Sequence, residues 1–410
     1  MHESESLLSL IGERIANSPN QRITFAQYME WVLYEPDYGY YATNAVNIGP
    51  EGDFFTAPNL GADFGELLAE QFAQMWDILG RPAQFTLVEM GAGQGLLAAD
   101  ILLHLHQHHP AFFHALEYLI VEKAAGLISQ QQQVLQKLAP LFAPGFAQTQ
   151  GATPVRWCSL EEIPSASITG CFFSNELVDA LPVHQFAIAQ GKLREIYVTT
   201  PDGTHFEEVI GELSTPQLAE YFDLVGIELP SAAYQDGYRS EINLAAHTWL
   251  STVADKLKRG YLLTIDYGYP AARYYNPQRS QGTLQCYSQH RHHNDPYVQI
   301  GQQDITAHVD FTALERWGDR CGLALVGFTK QALFLMALGL GDRIAALSNS
   351  DRPIIGTQIR TQSIMDVLRR RDALHQLIDP TGLGGFGVLV QCKGLREEER
   401  KLKLKGLTMP

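Results

Sequence analysis

From residue 85 onward, short apolar runs alternate with longer segments whose apolar positions recur every three or four residues. The short runs predict strands at 85–89, 118–122, 154–158, 169–174, 260–266, 322–329 and 386–392, and the longer ones helices at 95–108, 123–138, 241–258 and 311–321. This alternation predicts an α/β fold: a mostly parallel sheet with helices on both faces. Residues 1–80 read as mainly helical, with Thr24 and Gln27 spaced as a capping box and a further helix from about 61 to 79. Between 184 and 212 the rhythm breaks into short strands separated by Gln190-Gly191-Lys192 and Pro201-Asp202-Gly203, which predicts a small antiparallel meander inserted into the core. Residues 267–310 are polar and strand-poor, the pattern of a functional or disordered loop. The expected organisation is a helical N-terminal region with a lid (1–80), a core (81–395) with insertions at about 184–240 and 267–310, and a charge-dense, frayed tail (396–410).

The first core strand runs into Glu89-Met90-Gly91-Ala92-Gly93-Gln94-Gly95. Gly91, Gly93 and Gly95 permit a sharp turn and close approach of a ligand to the backbone. Dinucleotide folds and phosphate loops also use glycine turns, and Ala98 satisfies the looser dinucleotide spacing, so the glycines alone leave NAD open. Glu89 narrows the choice. A carboxylate there repels a pyrophosphate and attracts a cation, which favours S-adenosylmethionine (SAM), with its ammonium and sulfonium and no phosphate. Glu122 ends the second strand, where a carboxylate accepts hydrogen bonds from ribose hydroxyls.

Composition adds bounds. No run of eighteen apolar residues suggests a membrane span, and the acidic start Met1-His2-Glu3-Ser4-Glu5-Ser6 lacks the basic flank of a leader. Five scattered cysteines without a CxxC pair fit reduced thiols and a cytoplasmic setting. A net charge of -15 disfavours nucleic acid and suits a basic protein partner.

Further carboxylates fall at strand ends, where open α/β sheets bind ligands. The fourth strand leads into Ser174-Asn175-Glu176-Leu177-Val178-Asp179, and the fifth into Asp266-Tyr267-Gly268. For Glu176 and Asp179, helix capping and function stand level on position alone; Asp266 leans to function because it repeats the placement of Glu89 and Glu122. His104, His106, His108 and His109 cluster near a helix end without an adjacent acidic partner, so no metal site is assigned and they are read as solvated. Arg291 and His290, His292 and His293 read as a loop at the substrate mouth, and His308 and Asp310 as candidates for the pocket wall.

The chain resembles the MidA family of SAM-dependent methyltransferases, whose mitochondrial members are complex I assembly factors. The matching segments include Tyr34-Glu35-Pro36-Asp37-Tyr38-Gly39-Tyr40-Tyr41, Gly52-Asp53-Phe54-Phe55-Thr56-Ala57-Pro58, the glycine turn, Ser174 to His184, Asp266-Tyr267-Gly268, Gly282-Thr283-Leu284 and Asp304 to Phe311, in the family's order. Met90, Ala92 and Gln281 are mild departures. The resemblance implies a Rossmann-like class I methyltransferase core of seven strands with an N-terminal helical lid. It implies SAM as cofactor, with Thr56 and Asn175 joining Glu89, the three glycines and Glu122. It also implies an arginine acceptor on a protein partner such as a respiratory-chain subunit, since mitochondrial relatives dimethylate an arginine of a complex I subunit. Glu176, Asp179 and Asp266 are then the carboxylates available to orient a guanidinium. A SAM-dependent enzyme for a small molecule, a catalytically silent assembly factor and, more distantly, a NAD oxidoreductase are the competing readings. The oligomeric state is left open.

Overall fold

The computed structural model describes residues 2–43, 56–138, 155–288, 291–349 and 359–409. Its main sheet has seven strands: β1 (Phe85–Met90), β2 (Leu116–Val121), β3 (Val155–Cys158), β4 (Ile168–Asn175), β5 (Leu257–Asp266), β6 (Ala324–Lys330) and β7 (Gly387–Lys393). They lie in the order β3-β2-β1-β4-β5-β7-β6. The first five strands run parallel, and β7 is antiparallel to both neighbours. All seven match the strands expected from the sequence to within a few residues. Every residue of β1 is buried, the polar Thr86 and Glu89 included, as expected of a strand covered on both faces. The chain reverses its direction of strand addition between β1 and β4, which opens a crevice at their carboxyl ends.

Helices cover both faces. On one side lie α1 (Asp63–Ile78), α2 (Leu96–His108), α3 (Pro110–Ala115) and α4 (Ala125–Gln136). Phe72 of α1 packs on Phe173 of β4 with ring centroids 4.9 Å apart. On the other side α5 (Leu244–Lys256) and α6 (Phe311–Arg320) pack Leu250, Val253 and Leu314 against Val88, Phe172 and Leu262. Residues 1–80 therefore divide. The helix at 63–78 belongs to the main core, whereas His2–Ala16 and Phe25–Tyr34 pack with later insertions. The capping box at Thr24 and Gln27 forms as expected.

The meander is present as His184–Ala189, Lys192–Thr199 and Glu207–Gly211, and it recruits Arg239–Ile242 and Arg22–Thr24 into a five-stranded sheet. The segment 267–310 corrects the expectation of a loop. Gln285–Ser288, Arg291–His293 and Asp304–Thr306 form a three-stranded sheet, and Gly268–Tyr269 pairs with Val309–Asp310. Leu284, Cys286, Ile300 and Ile305 pack beneath Leu7, Ile11 and Tyr28 of the N-terminal helices. These strands are short and their buried faces include polar groups such as Asp304, so an apolar period never develops.

The tail is also ordered, against expectation. Glu399 accepts an ion pair from Arg259, Leu404 is buried in the main core, and the Gly406 N–H donates to Gln71 at 2.9 Å. Charge density misled because Glu399 is buried against partners distant in sequence. Leu404→Ala should lower the free energy of unfolding by about 2–4 kcal/mol in a denaturant titration, whereas a frayed tail would leave it unchanged.

Candidate active site

A single cavity of about 1310 Å³ lies at the carboxyl ends of β1, β2, β4 and β5. Its two ends differ in chemistry. One is lined by the glycine turn, Glu89, Glu122, Ser159, Leu160 and Trp249. The other is lined by Tyr34, Tyr41, Tyr267, Tyr287, His308 and the carboxylates Glu176, Asp179 and Asp304.

At the first end, Gly91 and Gly93 adopt φ of 72° and 52°, left-handed values that a glycine holds without strain. Gly95 has φ 81° and caps α2, but a side chain there would face Gln131, and the cavity wall does not include it. Of the three glycines, it therefore shapes the turn and leaves the lining to the others. Glu89 is buried and accepts the Tyr118 hydroxyl at 2.6 Å. Burial pushes its carboxyl up to about 7, with the Glu122 charge adding to the shift. Glu122 is pre-oriented: one oxygen accepts the N–H groups of Lys123 and Ala124 at 2.9 and 3.0 Å, and the other accepts Gln131 at 3.2 Å. Burial raises its pKa as well.

The donor set fits SAM. Two carboxylates suit an ammonium and ribose hydroxyls, the glycine backbone leaves room for close approach, and Glu89 at the turn opposes a pyrophosphate. Two buried polar atoms in the wall, Asn175 Oδ1 and Trp249 Nε1, have no hydrogen-bond partner among the described residues and are available to a ligand. Thr56 also lines the cavity, held by its hydroxyl to Asn59 at 2.8 Å. The rest of the expected lid, from Gly52 to Phe55, lies outside the described residues.

At the second end, Glu176 follows β4 directly, with φ 53°, a left-handed value uncommon for a residue with a side chain. Asn175 donates to its carboxylate at 3.1 Å, and the Ala57 N–H also donates to it. Burial, then the charge of Asp179, pushes Glu176 up to about 8. Asp179 accepts a short hydrogen bond from the Tyr267 hydroxyl through Oδ2, and its buried Oδ1 has no partner among the described residues. Burial raises its pKa too.

Asp266 stands apart from the other two carboxylates expected there. It is fully buried and absent from the cavity wall. Its Oδ2 accepts the N–H groups of Val178 and Asp179 at 2.9 and 3.2 Å, and Oδ1 accepts that of Tyr267 at 2.8 Å. It braces the loop that carries Glu176 and Asp179 and is a positioning residue. Asp310 likewise leaves the wall: it caps α6 through the N–H groups of Thr312 and Ala313. His308 does line the cavity, stacked on Tyr269 at 5.1 Å, and burial beside Arg279 pushes its pKa down to about 4. Arg291, His292 and His293 form a strand outside the wall, and His290 is outside the described residues.

The sequence reading passed over Asp304, Tyr287 and Tyr267 as site residues. Asp304 accepts the Tyr41 hydroxyl at 2.9 Å, and Tyr34 stacks on Tyr41 at 5.2 Å while donating to the Ala180 carbonyl at 2.8 Å. The density of tyrosines at 34–41 was the available signal.

Comparison with known proteins agrees with this geometry. Residues 67–329 match the model of a family of S-adenosyl-L-methionine-dependent methyltransferases. The chain belongs to this family. It is 31% identical over 376 residues to the mitochondrial protein arginine methyltransferase NDUFAF7 homolog of Drosophila melanogaster, covering 88% of this chain and 79% of the relative. It is 28% identical to the human protein arginine methyltransferase NDUFAF7, covering 82% and 75%. A crystal structure of a COG1565 superfamily member from Burkholderia thailandensis, bound to S-adenosyl-homocysteine, superposes with a TM-score of 0.82 at 32% identity, covering 99% of this chain and 95% of that one. The chain is thus a SAM-dependent methyltransferase with the class I core expected from its motifs.

Two outcomes follow for the cofactor end. Gly93→Val places a branched side chain at a left-handed φ inside the wall, so calorimetry should detect SAM binding to the wild type and none to the folded variant. Glu89 attracts a cation only when ionised, and its raised pKa of about 7 puts that change near neutrality. SAM affinity should therefore rise about tenfold between about pH 5.5 and 7.5, and Glu89→Gln should flatten the profile.

Proposed function

We propose that the chain transfers the methyl group of SAM to a guanidinium nitrogen of an arginine on a protein partner. The observation that carries this reading is the pair Glu176 and Asp179, facing the same aromatic-walled cavity as the cofactor turn. A guanidinium is planar, permanently charged and suited to two carboxylates and to stacking on tyrosine. The relatives named as protein arginine methyltransferases support the choice of acceptor.

When bound, SAM supplies an electrophilic methyl group. The protein's part is to present one nitrogen in line with it and to take up a proton. Glu176 and Asp179 pair with the guanidinium and turn one nitrogen toward the cofactor end. The nitrogen forms its bond to carbon as the sulfur–carbon bond breaks, and a carboxylate takes the proton the nitrogen gives up. Glu176, with its pKa near 8, is matched to accept that proton and return it to solvent. The partner we infer from the MidA motifs is a respiratory-chain subunit, in a reducing, cytoplasmic setting that suits five free cysteines.

Mass spectrometry of native lysate incubated with labelled SAM tests the acceptor. A labelled arginine on a protein supports the reading, and a labelled metabolite overturns it. Glu176→Gln should keep SAM affinity and lose about 10²–10⁴-fold in methyl transfer. Only ionised Glu176 pairs with the acceptor, so wild-type kcat/KM should climb from about pH 6 to 8, and the variant should lack that limb. The sign for stability is opposite. A carboxyl raised in the folded state contributes stability at low pH that is lost as pH rises through its folded value, here about 8. Between about pH 6 and 9, the wild type should therefore lose more Tm than Glu176→Gln. A residue serving only as a helix cap would show lowered Tm with normal turnover instead.

A further inference from the structure

Away from the cavity, α1 and α2 meet at a cluster the sequence did not reveal. His104 was expected to be solvated, yet it is buried, and its Nε2 lies 2.7 Å from Glu70 Oε1. His109 Nε2 lies 2.9 Å from the same oxygen. The carboxylate comes from α1, 34 residues before His104, which is why no acidic partner stood near the histidines in sequence.

We propose that Glu70, His104 and His109 bind a divalent metal ion of the zinc class and fasten α1 to α2. Two imidazole nitrogens and a carboxylate oxygen are the donors such an ion takes in sites that keep an open position. All three donor atoms lie within 4.8 Å of one another. Zinc bonds of roughly 2.0–2.1 Å in a tetrahedron space donors about 3.3–3.4 Å apart, so small side-chain rotations that widen the two short contacts admit the ion. Both nitrogens converge on one carboxylate oxygen, marking a common centre.

The supports are stiff. His104 lies in the helix, stacked on His108 at 4.3 Å. His109 is fixed at the junction with α3: its N–H donates to the Leu105 carbonyl and its own carbonyl accepts the Phe113 N–H, each at 2.9 Å. The cluster sits at the carboxyl end of α2, whose dipole favours a cation. Glu70 and His109 remain about a third exposed, at 31% and 30%, so water has access to the open coordination position. None of the three residues lines the cavity, so the ion would take no part in methyl transfer.

The competing arrangement is a metal-free hydrogen-bonded triad, in which Glu70 holds both rings and its carboxyl is lowered to about 2 chiefly by the His104 bond. Titration of the chelator-treated full chain with Co²⁺ and Zn²⁺ separates the two. The metal site predicts one Co²⁺ per chain with the visible absorption of a low-coordinate nitrogen–oxygen site, displacement by Zn²⁺, and a zinc-dependent rise in Tm. Glu70→Gln, which preserves shape, and His109→Ala should each weaken binding at least about tenfold. SAM binding by calorimetry reports that each variant is folded. His106→Ala, on the same helix outside the triad, should bind as the wild type does. Absence of saturable binding, or equal affinity in wild type, Glu70→Gln and His109→Ala, overturns the proposal.

Discussion

The buried carboxylate of Asp266 sets the geometry on which the site depends. It has no exposure to water, and burial strongly disfavours its charge. Three backbone N–H groups converge on it, from Tyr267 on its own strand end and from Val178 and Asp179 across the crevice. The Glu176 N–H continues the connection by donating to the Ile265 carbonyl at 3.0 Å. The parallel pairing of β4 and β5, with Ile265 opposite Asn175, brings the two strand ends level. The hydrogen bonds of Asp266 then turn that register into a fixed position for Glu176 and Asp179. Removing this one group would leave three N–H donors without their acceptor, a cost greater than the loss of one surface ion pair.

Around this fixed loop the walls come from segments far apart in the chain. Tyr34 and Tyr41 arrive with the N-terminal helices, Tyr287, Asp304 and His308 with the small sheets, and Leu333 and Phe386 with the helices inserted between β6 and β7. Those helices, Gln331–Leu338, Leu340–Asn349 and Ile359–Ile378, anchor to α1 near the cavity, where Arg343 and Arg370 both pair with Asp63. The sheet thus supplies the glycine turn and the loop after β4, and the inserted segments supply the aromatic remainder of the wall.

The repeating part of the chain was legible in the sequence because the central core strands are largely apolar and end in a turn. Glu89, Glu122 and the glycines were legible for the same reason: they follow directly from a strand end. What could not be read was whatever depends on convergence. Asp266 and Glu176 look alike in sequence, each a carboxylate after a strand, and only the fold shows one facing the peptide N–H groups and the other facing the cavity. The helix Gln331–Leu338 carries apolar residues all round, as a helix buried on several sides does, and so shows no amphipathic period. The helix Gln217–Val225 is short, and the MidA motifs that organised the reading do not extend to it.

Glu176 holds its carboxylate on a left-handed backbone, a conformation that asparagine and glycine adopt more readily than glutamate. The two demands on this position therefore oppose each other. A change to glycine would relax the main chain and remove a buried acid, so random substitution screened for heat resistance alone should enrich changes at this position. The carboxylate that reaches the cavity wall is thus held there at the expense of main-chain ease, and the tension is written in a single dihedral angle.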